Sequence, residues 1–252
     1  VYSELQGSGP TDANSAAGFS NLAAGTGGFR LADDFRVPAG AGWSLQKGTL
    51  FVYEPRATPG PAPVGAVFVQ VWRGRPGDAG AVVVGGDLTT NRLIVNRPTN
   101  VYRIFNTQVA PAAGPDQTRR VWLLEVNLPA VNLAPGQYWL EWQVQSADPA
   151  SEVFTPATTV LDARGPFGAN GRMFRPAPPP GIGAWEDVVD PGKPARLPDV
   201  RQDVPFMLYG AGQPRACPAD LTGIGGPPEP PDGLATVDDL IAFVNAFSEG
   251  EP

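Results

Sequence analysis

The chain contains no histidine. That absence excludes Ser-His-Asp and Cys-His catalysis, imidazole-held zinc or haem, and charge switching by a histidine near neutral pH. Cysteine is represented once, by Cys217, so no disulfide can close within the chain and the redox compartment stays open. A small shielded thiol is the expected state of that residue. No apolar run reaches the roughly 18 residues of a membrane helix, and Val1 opens no signal peptide. A soluble chain is expected, either cytosolic or mature and secreted, and the missing initiator Met favours an extracellular location. Basic excess is also lacking: the net charge is −7, with seven acidic and no basic residues in 216–252 and 18 of each sign before them. Without surplus cations to replace phosphate counterions, and without a GxxxxGK[ST] or GxGxxG run, nucleic acid is not expected as a partner.

What is abundant is glycine and proline, 31 and 30 residues, beside a hydrophobic fraction of 42% that gathers into short dense runs. Residues 1–28 read as an apolar opening, VYSEL, followed by a Gly/Ala/Ser-rich linker. From Phe29 onward β-type runs such as GTLFVYE, AVFVQVWRG, RRVWLLEVNL, QYWLEWQVQ and DVPFMLYG alternate with Pro/Gly turns. About eleven strands with no helical repeat between them predict an all-β fold, an antiparallel jelly-roll-like sandwich over 29–212. The period of two in QYWLEWQVQ sends Tyr138, Leu140, Trp142 and Val144 to the core and Trp139, Glu141 and Gln143 to the other face.

The grammar changes in 213–252. Thr236 is placed to cap a helix, with Asp239 three residues on, and Leu240, Phe243, Val244 and Phe247 then fall on one apolar stripe. Ahead of it stand Asp220 and Thr222, then Asp232-Gly233-Leu234. These residues, with the Cys-x-Ala-Asp-Leu-x-Gly opening and the Leu-Ile-Ala-Phe-x-Asn-Ala-Phe helix, resemble half of a dockerin repeat, of the GC-type tails found on secreted bacterial β-sandwich proteins. The resemblance implies an EF-hand-like loop that holds Ca²⁺ through Asp220, Thr222, Asp232, the Leu234 carbonyl and Asp239, with Gly233 at the sharp turn. It departs from the family in the inserted GIGGPPEPP and in having one repeat, so cohesin pairing is not implied. The runs FRLADDFRVP, VYRIF, APGQYWLEWQV and QDVPFMLYG are similar to uncharacterised secreted bacterial sandwich domains, which implies fold and secretion but no activity.

No enzyme site is expected. Asp33 and Asp34 are adjacent, so a strand sends them to opposite faces, and they cannot form the carboxylate pair of a glycosidase. Glu125 and Glu141 alternate along strands as solvated faces do. Trp139, Glu141 and Gln143 are candidates to face a glycan, the alternative being an outer face covered by a neighbouring segment. Val1, Tyr2 and Leu5 make VYSEL a candidate assembly strand that could add to the sheet edge of another copy. The leading expectation is a secreted, non-enzymatic structural protein that self-associates as an oligomer or filament. The alternative is an extracellular carbohydrate-binding or adhesion module, its tail anchored to a protein or surface glycan.

Overall fold

A computed structural model of the 252-residue chain describes residues 2–5, 18–23, 28–39, 42–55, 60–105, 117–149, 151–158, 169–178, 181–190 and 200–212. Among these, every regular element is a strand. In chain order the strands are β1 (Tyr2–Leu5), β2 (Gly18–Ser20), β3 (Arg30–Val37), β4 (Trp43–Tyr53), β5 (Val64–Arg73) and β6 (Val82–Asp87). There follow β7 (Leu93–Phe105), β8 (Arg120–Asn127), β9 (Asn132–Leu133), β10 (Gly136–Ser146) and β11 (Phe154–Pro156). The last are β12 (Arg172–Arg175), β13 (Ala184–Asp187), β14 (Val189–Asp190), β15 (Val200–Arg201) and β16 (Phe206–Gly212). The described residues divide into two compact units, one within 2–35, 45–131 and 137–209 and one within 36–44, 132–136 and 210–212.

The larger unit is a β-sandwich. One sheet has the order β1-β7-β8-β4-β11-β2, with β16 also paired to β4, and the other the order β13-β12-β3-β10-β5-β6. Antiparallel ladders build both sheets, and β1 on β7 is a parallel pair, Tyr2 opposite Tyr102 through Leu5 opposite Phe105. The core follows from alternation. Across β5 and β10, Val71 faces Leu140, Val69 faces Trp142 and Val67 faces Val144, and all six side chains are completely buried. In the first sheet Leu50 of β4 faces Leu124 of β8, and Val52 and Val126 are completely buried with them. Each such side chain contributes about 1.5–3 kcal/mol relative to an exposed one. Phe206 of β16 joins the layers, its ring 6.0 Å from Trp142 and 6.4 Å from Phe35.

Two crossings between the sheets are visible. After β2 the chain steps across to β10, where Ala23 N donates to the Val144 carbonyl at 2.7 Å and Val144 N to the Asn21 carbonyl at 2.9 Å. Between β6 and β7, Asp87 organises the turn: Oδ1 accepts from the amides of Thr89 and Thr90, and Oδ2 from the Thr90 hydroxyl and Arg92. In the smaller unit Trp43 and Ser44 pair antiparallel with Leu133 and Asn132.

Two expectations are corrected here. Residues 18–23 are not linker: Phe19 and Asn21 are buried, and β2 is the edge strand next to β11. Glycine composition misled because Gly18 is there for close packing; a Cβ on it would fall 2.7 Å from the Tyr53 ring. The outer face of β10 is not the solvated face expected from the alternation at Glu141 but the covered one of the alternative: Trp139, Glu141 and Gln143 are buried, and Arg30 of β3 and Trp72 of β5 reach over to Glu141. The expected calcium loop and helix, in 213–252, lie outside the described residues, as does Cys217.

Candidate functional site

The outer face of β10 carries a buried carboxylate with its partners. Glu141 is fully buried there, between Arg30 of β3, whose Nη1 donates to Oε1 at 2.7 Å, and Trp72 of β5, whose Nε1 donates to Oε2. The Arg30 guanidinium lies 3.9 Å from the centre of the Phe174 ring and 5.3 Å from that of Trp185. Burial raises the Glu141 carboxyl above its ordinary range, and Arg30 and then Trp72 pull it only part of the way back. The group thus ties three adjacent strands together through one charged centre. Trp139, at 3% exposure, and Gln143, at 8%, are buried beside it. A sugar-facing platform needs open ring faces, and none of these three side chains offers one.

On the inner face of β3, Asp33 is buried and clamps the chain ahead of β16. Its Oδ2 accepts from Val204 N at 2.7 Å, and Oδ1 from Asp34 N at 2.9 Å. Asp203 in turn accepts from the amides of Asn170 and Gly171, at 2.7 and 3.3 Å. Burial drives the Asp33 carboxyl well above its ordinary range, and the nearby Asp203 charge adds to that; Asp203 is also raised, first by burial. Asp34 points elsewhere and accepts from Gln137 at 2.6 Å. Glu125 pairs with Arg97 at 3.6 Å.

Near the β12–β13 hairpin, Asp187 gathers three guanidiniums. Arg172 reaches it at 2.8 Å and Arg201 at 3.0 Å, and Arg75 closes the set. Partial burial pushes the Asp187 carboxyl up, but the Arg172 hydrogen bond and the three positive charges outweigh it and hold the group below its ordinary range.

The outer face of the first sheet holds an apolar cavity of about 230 Å³. Phe51, Val101, Val121, Pro156, Ala157 and Pro205 line it with Thr99 and Thr158. The Thr99 hydroxyl is already committed, donating to the Val121 carbonyl at 2.7 Å and accepting from Val101 N at 3.0 Å. What this hollow offers a visitor is contact with carbon, not hydrogen bonds.

The expected calcium ligands Asp220, Thr222, Asp232, Leu234 and Asp239, and Val1 of the expected assembly strand, lie outside the described residues. Tyr2 and Leu5 lie in β1, which pairs with β7 of its own chain. Among the described residues no group of three or more Cys, Asp or Glu side chains is placed to hold a metal ion. Sequence reasoning named Asp33 and Glu141 but not their partners, and it passed over Asp187 and Asp203. Arg30 and Glu141 are 111 positions apart and Asp33 and Val204 are 171 apart, so only strand order brings them together. Comparison with family models, with curated proteins and with solved structures returns no match for this chain.

Proposed function

We propose that the chain is a secreted, non-enzymatic structural protein: a jelly-roll-like β-sandwich protomer that self-associates and carries a Ca²⁺-stabilised half-dockerin-like tail. The observation behind this reading is that β1 takes the edge of the first sheet by parallel pairing with β7, here of its own chain, an arrangement that gives a monomer unless the strand passes to a neighbour. The ladder is four residues long, and backbone pairing of that kind is met equally well by the β1 of another copy. Residues 6–17 join β1 to β2 and span at most roughly 40 Å, which sets how far a donor protomer can reach. Exchange that passes from copy to copy without closing gives a filament.

Deletion of residues 1–6 tests the reading, with light scattering and negative-stain imaging beside wild type in Ca²⁺. Wild type is expected to assemble with rising concentration and the deletion to suppress it. A wild type that stays monomeric at high concentration, or a deletion that leaves assemblies unchanged, overturns strand exchange. For the tail, the hard oxygen donors Asp220, Thr222, Asp232, Asp239 and the Leu234 carbonyl suit Ca²⁺. Calorimetric titration is expected to find a site in wild type that Asp232→Ala lacks, and equal heats in the two would remove it. The carbohydrate-binding alternative gains nothing from Trp139, Glu141 and Gln143, which are buried.

A further inference from the structure

The turn between β5 and β6 does more than join two neighbouring strands. In the second sheet β10, β3 and β12 separate β5 from β13, yet residues 75–77 of this turn rest on side chains of β12 and β13. The Pro76 carbonyl accepts from Arg172 Nε at 3.3 Å. A Cβ on Gly77 would fall 2.7 Å from the Cβ of Trp185 and 3.1 Å from Arg172 Nη2. Pro76 is buried, whereas residues 77–80 after it are exposed. The turn is thus seated on the face through one proline, with the rest of its length in solvent.

The side chains that share this face are rich in aromatic rings. Trp72 stands opposite Trp139 across β5 and β10, and Trp185 opposite Phe174 across β13 and β12. Arg30 stacks on Phe174 and reaches Glu141, which sets both pairs on one side of the sheet. The outward face of an antiparallel sheet is ordinarily wet. Here Trp139 is 3% exposed, and the turn reaches across to Trp185 on that side.

The fastening is ionic. Arg75 pairs with Asp187 of β13, and its other carboxylate contact is Asp78 of its own turn, at 4.0 Å. Arg172 and Arg201 hold the same Asp187 from β12 and β15, so of these three guanidiniums only Arg75 comes from the turn. Gly74 and Gly80 bracket the segment, both at a φ of 86°, a conformation open to glycine at little cost.

We propose that residues 74–80 are a hinged strap latched by the Arg75–Asp187 pair, and that its release uncovers Trp139 and Trp185. The face then has two states, one shut to solutes and one presenting indole rings. A solute that stacks on those rings binds the open state alone and draws the strap toward it. The device is independent of self-association through β1.

Hydroxyl-radical footprinting, read residue by residue by mass spectrometry, tests this on wild type, Arg75→Gln, Arg201→Gln and Gly77→Ala. Arg75→Gln removes the latch from the strap, whereas Arg201→Gln removes a partner of Asp187 that lies outside it. Arg75→Gln is expected to raise oxidation of Trp139 and Trp185 about two- to fivefold, the range of a partly exposed ion pair. Arg201→Gln is expected to leave both at the wild-type level. Gly77→Ala, which wedges a methyl group against Trp185, is expected to raise both. Trp142, completely buried in the core, is the control for global unfolding and is expected to stay unlabelled throughout. Wild-type oxidation of Trp139 and Trp185 in Arg75→Gln, or an equal rise in Arg201→Gln, overturns the latch. Should Trp142 be labelled in Arg75→Gln or Gly77→Ala, that variant has lost its fold and the other decides. Labelling of Trp142 in both overturns the inference, because the turn is then inseparable from the core.

Discussion

Truncating Glu141 to alanine strands two partly buried groups at once, the Arg30 guanidinium and the Trp72 indole N–H. A buried charge deprived of its partner costs about 3–5 kcal/mol, more than the pair itself contributes. Glu141→Ala is therefore expected to lose that much, while Arg30→Met with Glu141→Leu, which leaves no orphaned charge, loses clearly less. Urea denaturation of the three proteins checks this, and a double variant no more stable than Glu141→Ala would show that the ion pair is a net stabiliser. Trp142, on the opposite face of the same strand, is a packing residue. It is completely buried against Phe206, and Trp142→Ala is expected to cost about 3–5 kcal/mol through the cavity it leaves.

At the scale of elements, β2 shows how small residues define an edge. Its Gly18 sits so close to Tyr53 and the Thr155 carbonyl that any side chain pries β2 from β11, and Gly18→Val is expected to cost about 1–3 kcal/mol by overpacking. Loss of the buried Asn21–Thr155 hydrogen bond, 3.0 Å in the native chain, should accompany it, and faster amide exchange along 18–23 is the measurement. This strand was illegible in the sequence because glycine and alanine signal flexibility unless one knows what presses on them. By contrast β5, β8 and β10 were legible, since Val67, Val69, Val71, Leu124, Trp142 and Val144 recur with a period of two. What alternation cannot tell is whether the second face is wet. On β10 it is dry, because Arg30 of β3 and Trp72 of β5 reach over it to Glu141, and which strands lie beside β10 is a property of residues far apart in the chain.

For the whole molecule, buried acids set the response to pH. Asp33, Glu141 and Asp203 hold protons more tightly folded than unfolded, chiefly because burial penalises their charge. Their contribution to stability is fully present below the unfolded carboxyl value of about 4 and is lost as pH rises through their raised folded values. Asp87, lowered by hydrogen bonds from the Thr89 hydroxyl and the Thr89 and Thr90 amides, works the other way, as does Asp187 among its arginines. Those two contribute above about 4 and lose their contribution as pH falls through their lowered folded values. Stability is thus expected to be greatest in mildly acidic solution and to fall on both sides. The net charge of −7 pushes the same way, since self-repulsion is relieved as carboxylates protonate, and a wild-type profile alone does not separate the two causes. Asp33→Asn separates them, because it removes one titrating group and leaves the rest of the charge nearly unchanged. The advantage of wild type over Asp33→Asn, measured by denaturant midpoints, is expected to grow as pH falls from 7 to 4. Parallel profiles for the two proteins would mean that Asp33 is not a source of the acid stabilisation, whatever its burial.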